Sequence, residues 1–193
     1  MRILTLAAIG VGEQPEGRDD TFEAARSGDA AAFDLLMRRH QRLVLGTAYR
    51  LAGNLEDAQD ASQEVFLRLY RNLAKLDQVN LAAWLYRVTV NVCHDARRRG
   101  LATVPVDDAT EVAAEGDPQQ SAGEAERRAL LLRSLRTLSG KERAALVLRD
   151  LEGLSTAEVA CVLGSSVATV RSQVAKARLK MRDYVERYSR RRV

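Results

Sequence analysis

Along this chain the apolar positions recur at three- and four-residue spacing from about residue 21 to 99, lose all periodicity from 100 to 123, and recover it from 124 almost to the end. That spacing is the signature of amphipathic helices, and an aperiodic stretch between two such blocks marks a linker. The first block predicts helices over 21–27, 29–52, 55–75 and 81–99. The second predicts helices over 124–137, 141–151, 156–163 and 167–188. Ser139 with Glu142 and Ser155 with Glu158 fit the S-x-x-E capping box, in which each partner satisfies a helix-end N–H, so two helix starts are well marked. The expected fold is all-α: a tail over 1–20, a small helical bundle over 21–99, a flexible acidic linker over 100–125, a second helical domain over 126–188 and a basic tail over 189–193.

Composition agrees. Of 193 residues, 46% are hydrophobic, and Ala, Leu, Arg and Glu dominate, which favours helix throughout. The net charge of +4 hides an asymmetry. Residues 127–193 carry 16 Lys or Arg against 6 Asp or Glu, while 101–126 carry 7 acids and no base. A basic module behind an acidic connector calls for a polyanion partner. Cys93 and Cys161 stand far apart without metal-ligand spacing, so neither a disulfide framework nor a zinc site is indicated, and no cofactor is expected. The opening "MRILTLAAIGVG" only weakly imitates a secretory signal, and no segment is long enough to span a bilayer, which points to the cytoplasm.

Within residues 151–181, "LEGLSTAEVACVLGSSVATVRSQVAKARLKM", Ser155 starts one helix, Gly164 permits a tight turn and Ser165 or Ser166 starts the next. This is the helix-turn-helix pattern. At 100° per residue Val167, Val170, Val174, Ala177 and Met181 share one face, and Ser172 points opposite, flanked by Ala168, Thr169, Ala175 and Lys176. A small, hydroxylated face with basic flanks, including Arg171, can lie deep in a DNA major groove.

In the first block, "LEDAQDASQEVFLRLYRNL" puts Ala58, Ala61, Val65 and Leu69 on one face and Asp57, Asp60 and Glu64 in an acidic stripe elsewhere. The stripe fits complementation of the helix dipole, a carboxylate metal site lacking its usual Glu-x-x-His partner, or a docking surface for a basic partner. The next helix, "LAAWLYRVTVNVCHDARRR", buries Leu81, Trp84, Leu85, Val88 and Val92 and turns Arg87, Asn91, His94 and Arg98 outward, a stripe suited to a nucleic-acid backbone.

Taken in order, "EDAQDASQEVFLRLYRNL", "AAWLYRVTVNVCHDARRR" and "LRTLSGKERAALVLRDLEGLSTAEVACVLGSSVATVRSQVAKARLKM" resemble the extracytoplasmic-function class of the sigma-70 family of bacterial RNA polymerase sigma factors, over about residues 22–186. The resemblance implies a non-enzymatic initiation factor with two modules, region 2 and region 4. Its partners would be the polymerase core, through the clamp helices of the largest subunit and the flap region, together with promoter DNA and an anti-sigma protein. By the same resemblance Asp57, Asp60, Gln63 and Glu64 fall at the core-binding positions. Arg87, Asn91, Asp95 and Arg98 fall at the minus-ten element, and Thr169, Arg171, Ser172, Ala175 and Lys176 at the minus-thirty-five element. The loop "LDQVN" at 76–80 lacks the aromatic and glycine common in the family, and Gln173 replaces a frequent Arg. The competing reading is a helix-turn-helix regulator that binds operator DNA without serving as a polymerase subunit.

Overall fold

The computed structural model describes residues 20–76, 81–100 and 122–190, all helix and short connections. Residues 1–19 of the expected N-terminal tail, most of the acidic linker, the 77–80 portion of the loop before Leu81 and residues 191–193 lie outside the described residues, while Asp20 belongs to the first helix and Ser189 and Arg190 of the expected basic tail to the last.

The first unit contains α1 (Asp20–Arg26), α2 (Ala30–Ala52), α3 (Leu55–Asn72) with a 3-10 turn at Leu73–Lys75, and α4 (Leu81–Arg98). Local chemistry sets the boundaries. Asp29 caps α2 by accepting the Ala31 and Ala32 N–H groups at 2.8 and 3.1 Å. Gly53 ends the helix at φ 90°, its N–H donating to the Tyr49 carbonyl. Asn54 then caps α3 through the Asp57 N–H at 2.8 Å. The inward faces interlock around Phe22, Leu36, Val44, Val65, Leu69 and Leu85, all at most 1% exposed. Truncating one such Leu or Phe to Ala costs about 2–5 kcal/mol through lost transfer energy and the cavity left behind.

The second unit contains α5 (Ala122–Arg136), α6 (Gly140–Leu146), a π turn (Val147–Leu151), α7 (Thr156–Leu163) and α8 (Val167–Arg190). Both expected capping boxes form: Ser139 with Glu142 opens α6, and Ser155 with Glu158 opens α7. The helix expected over 141–151 changes character instead of running through. After Leu146 it widens into the π turn, which closes with the Glu152 N–H on the Val147 carbonyl at 2.9 Å. Leu135, Leu138, Leu148, Val159 and Val170 form the packed centre of this unit.

The two units touch. α4 packs on α7, and α2 packs on α5, α6 and the π turn. Charged side chains make the crossing bonds. Arg143 donates to the Leu51 carbonyl at 2.7 Å and Arg136 to the Gly53 carbonyl at 2.7 Å, so two guanidiniums sit on the C-terminal carbonyls of α2, where the helix dipole favours cations. A Cβ at Gly53 would also stand 2.9 Å from Arg136 Nε, so the arginine side chain would have to shift.

Candidate promoter and polymerase interface

The acidic stripe of α3 is not uniform. Asp60 and Gln63 are exposed, whereas Asp57 is half-buried and accepts Asn54 Nδ2 at 2.7 Å. Glu64 accepts Arg68 Nε at 2.6 Å, four residues on. The same face continues into Leu67 and Tyr70, 50% and 68% exposed, with the Tyr70 ring edge-on to Phe33 at 5.2 Å. Sequence reading missed this apolar extension, although both residues fall off the Ala58–Ala61–Val65–Leu69 face on a helical wheel. The exposed side of α3 thus carries acids at one end and apolar side chains at the other. Among the described residues no group of three or more His, Cys, Asp or Glu could hold a metal.

On α4, Asn91, His94, Asp95 and Arg98 are exposed, and Trp84, expected in the core, is only half-buried. Arg87, expected to turn outward with them, does not. Its Nη2 and Nε donate to the Cys161 and Val162 carbonyls at 2.5 and 3.1 Å, at the C-terminal end of α7. The helical period placed Arg87 correctly on the Asn91 side of α4, but a second unit occupies that side, and exposed C-terminal carbonyls attract a guanidinium more strongly than solvent holds it. One turn inward, burial pushes the Cys93 thiol up to about 12, with the Asp57 carboxylate adding to the shift, which makes it an unreactive core thiol.

The helix-turn-helix forms as the spacing requires. Gly164 takes φ 60° between α7 and α8, where a side-chain-bearing residue is strained. Of the two candidate caps, Ser166 caps α8, accepting the Thr169 N–H at 3.1 Å and sharing a 2.8 Å hydroxyl bond with Thr169. Ser165 Oγ is instead buried without a partner. The buried face of α8 is Val170, Val174 and Ala177; Val167 is 36% exposed and Met181 half-buried, so the apolar stripe is narrower than the five residues expected. Ala168, Thr169, Arg171, Ser172, Ala175 and Lys176 are all exposed on the opposite side.

Beside that face lies a groove of about 200 Å³ lined by Arg149, Thr156, Arg171, Val174, Ala175 and Arg178. Arg178 follows Arg171 at i, i+7 on the same helix, whereas Arg149 did not stand out in the sequence, because only the turn of the π segment and the crossing of α8 bring it to them. Arg178 is fixed there by a two-point pair with Asp150 at 2.7 and 2.8 Å, which also raises its pKa above the ordinary guanidinium value. α8 is braced against α6 by Lys180, whose ammonium reaches both Glu142 oxygens at 2.8 and 2.9 Å. That bond, with the capping bonds from Ser139, holds the Glu142 carboxyl at about 2.

The chain matches the family model of Sigma-70 region 2 over residues 36–102 and that of Sigma-70, region 4 over residues 128–181. It is 38% identical over 184 residues to the ECF RNA polymerase sigma factor SigE of Mycolicibacterium smegmatis, covering 92% of this chain and 70% of that one. It is 35% identical over 178 residues to SigM of Mycobacterium tuberculosis, covering 90% and 88%. Among solved structures it is similar to CnrH in complex with the cytosolic domain of CnrY, with a TM-score of 0.63 at 26% identity over 86% of this chain and 95% of that one. The fold is shared by RpoE of Bartonella quintana, with a TM-score of 0.63 at 21% identity over 80% and 96%. The chain therefore belongs to the sigma-70 family, in the extracytoplasmic-function class of RNA polymerase sigma factors.

Proposed function

We propose that this sigma factor divides its work along the surfaces just described. As a member of its family it binds RNA polymerase core and directs it to promoters. α3 is the core-docking face: Asp57, Asp60, Gln63 and Glu64 meet the clamp helices of the largest subunit, with Leu67 and Tyr70 as its apolar end. α4 is the minus-ten face, where Asn91, Asp95 and Arg98 meet the melted strand, because an exposed amide can bond base edges that the duplex hides, while Arg87, on the same side of the helix, is held on the α7 carbonyls. α8 is the minus-thirty-five reader, with Arg171, Ser172 and Lys176 presented to the major groove and Thr169 and Ala175 close enough for contact. Thr169, whose hydroxyl is already engaged by Ser166, serves better in a phosphate-facing role than as a base reader. Region 2 spans 21–99 in this reading and region 4 spans 126–188. The protein acts by binding, in the cytoplasm, with no reaction of its own; among the described residues no helix is long and apolar enough to cross a membrane.

The observation that carries the reading is the exposed Arg171–Ser172–Lys176 surface, directly opposite the buried Val170–Val174–Ala177 face and flanked by the arginine-lined groove. An operator-binding regulator would explain that surface but not a first unit matching Sigma-70 region 2, and is not favoured. CnrH was solved with the cytosolic domain of CnrY, and a protein antagonist, the anti-sigma factor that the sequence resemblance implies, is proposed for this chain as well. The test is run-off transcription by purified core on a genomic promoter library. Added protein should create transcripts whose start sites share one upstream motif, and the absence of any such transcripts would remove the assignment.

A further inference from the structure

Arg143 is only 6% exposed, and its Nε has no hydrogen-bond partner among the described residues. Its terminal nitrogens are engaged on the Leu51 and Arg136 carbonyls at 2.7 and 3.2 Å. A buried charged donor left unmet is a costly defect in a fold, and it calls for an acceptor. Arg143 lines a cavity of about 220 Å³ where α3, α4, α5 and α6 converge. Arg97 from α4 and Arg136 from α5 line the same cavity, above a floor that includes Ala61 and Cys93. Arg97 and Arg136 are exposed and Arg143 is buried, so the cavity has guanidiniums both toward solvent and in its inner wall.

The charge of this cavity is unbalanced. Elsewhere Arg50, Arg178 and Lys180 each reach across to a carboxylate at 2.7 to 2.8 Å. Among the described residues no carboxylate comes within ion-pair distance of Arg97, Arg136 or Arg143. The one acid in the lining, Asp57, accepts Asn54 Nδ2 at 2.7 Å instead. The C-terminal end of α2, on which Arg136 and Arg143 rest, adds about half a negative charge. Three guanidiniums therefore keep more than one positive charge unmatched. Burial, and after it repulsion from Arg97 and Arg136, holds the Arg143 guanidinium below its ordinary pKa. Donors are also left over: Arg136 gives only Nη2 to the Gly53 carbonyl, and the Arg97 side chain makes no hydrogen bond among the described residues.

We propose that Arg97, Arg136 and Arg143 form a binding site for one phosphate-class dianion. Guanidiniums present paired N–H donors that match phosphate oxygens, and a dianion offsets the unmatched charge. The cavity is smaller than the roughly 300–1,000 Å³ of sites for drug-sized ligands, so it takes a single phosphate group and not a whole nucleotide. Asp57 opposes the anion and limits its affinity. None of the three arginines belongs to the proposed promoter or core contacts, so the site is separate from the DNA-facing surface of α8. Because the arginines meet only in the folded chain, the anion stabilises the fold by mass action.

The test titrates the full chain with inorganic phosphate by calorimetry at about pH 8, where phosphate is a dianion, with chloride holding ionic strength constant. Thermal melts establish that each variant is folded. Wild type should bind one phosphate saturably and melt at a higher temperature in its presence. Arg97→Gln, which removes no hydrogen bond of the fold, and Arg136→Gln should each weaken binding about tenfold or more. Asp57→Asn, which removes the opposing charge at constant shape, should tighten it severalfold. A double variant on the outer face of α8, Arg171→Gln with Lys176→Gln, should bind phosphate as wild type does. Adenosine monophosphate as competitor distinguishes the sources: displacement of phosphate shows that the site admits the phosphate of a nucleotide, and no displacement confines it to the free anion, the site standing in both cases. Absence of saturable phosphate binding by the wild type would overturn the proposal. So would binding that Arg97→Gln and Arg136→Gln leave unchanged, or that the α8 double variant abolishes.

Discussion

Arg143 and Leu51 stand 92 residues apart, and the guanidinium of one donates to the carbonyl of the other at 2.7 Å across the boundary between the two units. Its other terminal nitrogen donates to the Arg136 carbonyl at 3.2 Å, and its Nε is buried without a partner. Burial, with Arg97 and Arg136 nearby, pulls the guanidinium down to about 10, which leaves it cationic at neutral pH.

Removing that side chain strands two carbonyls and opens a gap between α6 and α2. Arg143→Ala is expected to lose about 2–4 kcal/mol in urea unfolding. Arg143→Met, similar in volume and without the buried charge, should lose less. Equal losses in the two variants would show that the hydrogen bonds, and not packing, are what Arg143 supplies.

Acid should loosen α8 from α6. Glu142 is held at about 2 against an ordinary 4.5, so its contribution to stability is complete above about 4.5 and is lost as pH falls through about 2. Glu142→Gln should cost on the order of 1 kcal/mol at neutral pH, since Lys180 is half-exposed and well screened, and should flatten stability between those two values. Thermal melts of both proteins across that range read the difference.

Reversing the charge of Asp60 and Glu64 should weaken core binding by at least about tenfold. Glu64 loses its pair with Arg68, but exposed pairs of this kind contribute only a few tenths of a kcal/mol, so helicity and melting temperature should barely change. Fluorescence anisotropy with purified core separates the two effects. Unchanged core affinity in a folded double mutant would reduce the stripe to helix-end electrostatics.

Asn91→Ala should impair strand opening more than formation of the closed complex, because its exposed amide is proposed to hold an unstacked base. Permanganate footprinting of the minus-ten region, set beside a gel-shift assay at low temperature, makes the comparison. Normal melting in the mutant would release Asn91 from that role.

On α8, sequence reading and backbone anchoring should separate. Lys176→Ala should weaken binding to all duplexes and lower the salt slope by about one, whereas Arg171→Ala or Ser172→Ala should shift preference within the upstream element by about 1–3 kcal/mol. Competition of holoenzyme for a library randomised only at that element, repeated at several salt concentrations, reads both quantities. If none of the three changes either quantity, another element reads the DNA.

Whatever depends on neighbours in the chain was legible in the residues. The capping boxes at Ser139 and Ser155, the turn at Gly164 and the 3.6-residue period of α3, α4 and α8 are local, and local spacing is sufficient to state them. The outward placement of Asp60, Asn91, Ser172 and Lys176 follows from the same period. Tertiary structure decided what periodicity cannot see. Arg87 lies on the polar side of α4, but only the docking of α7 turned it from a solvent-facing cation into a cap on helix-end carbonyls. Glu152, one acid among several in the sequence, became the centre of the contact because the π turn rotates it toward Thr47, Arg50 and Tyr86. Arg171 and Arg178 share a face of α8 at i, i+7, but Arg149 joined them around one groove only once α8 crossed the earlier helices. The physical reason is the same in each case: a helical period sets the direction of a side chain about its own axis, while its partner is set by the packing of another helix far along the chain, where long-range burial and charge, not spacing, choose the contact.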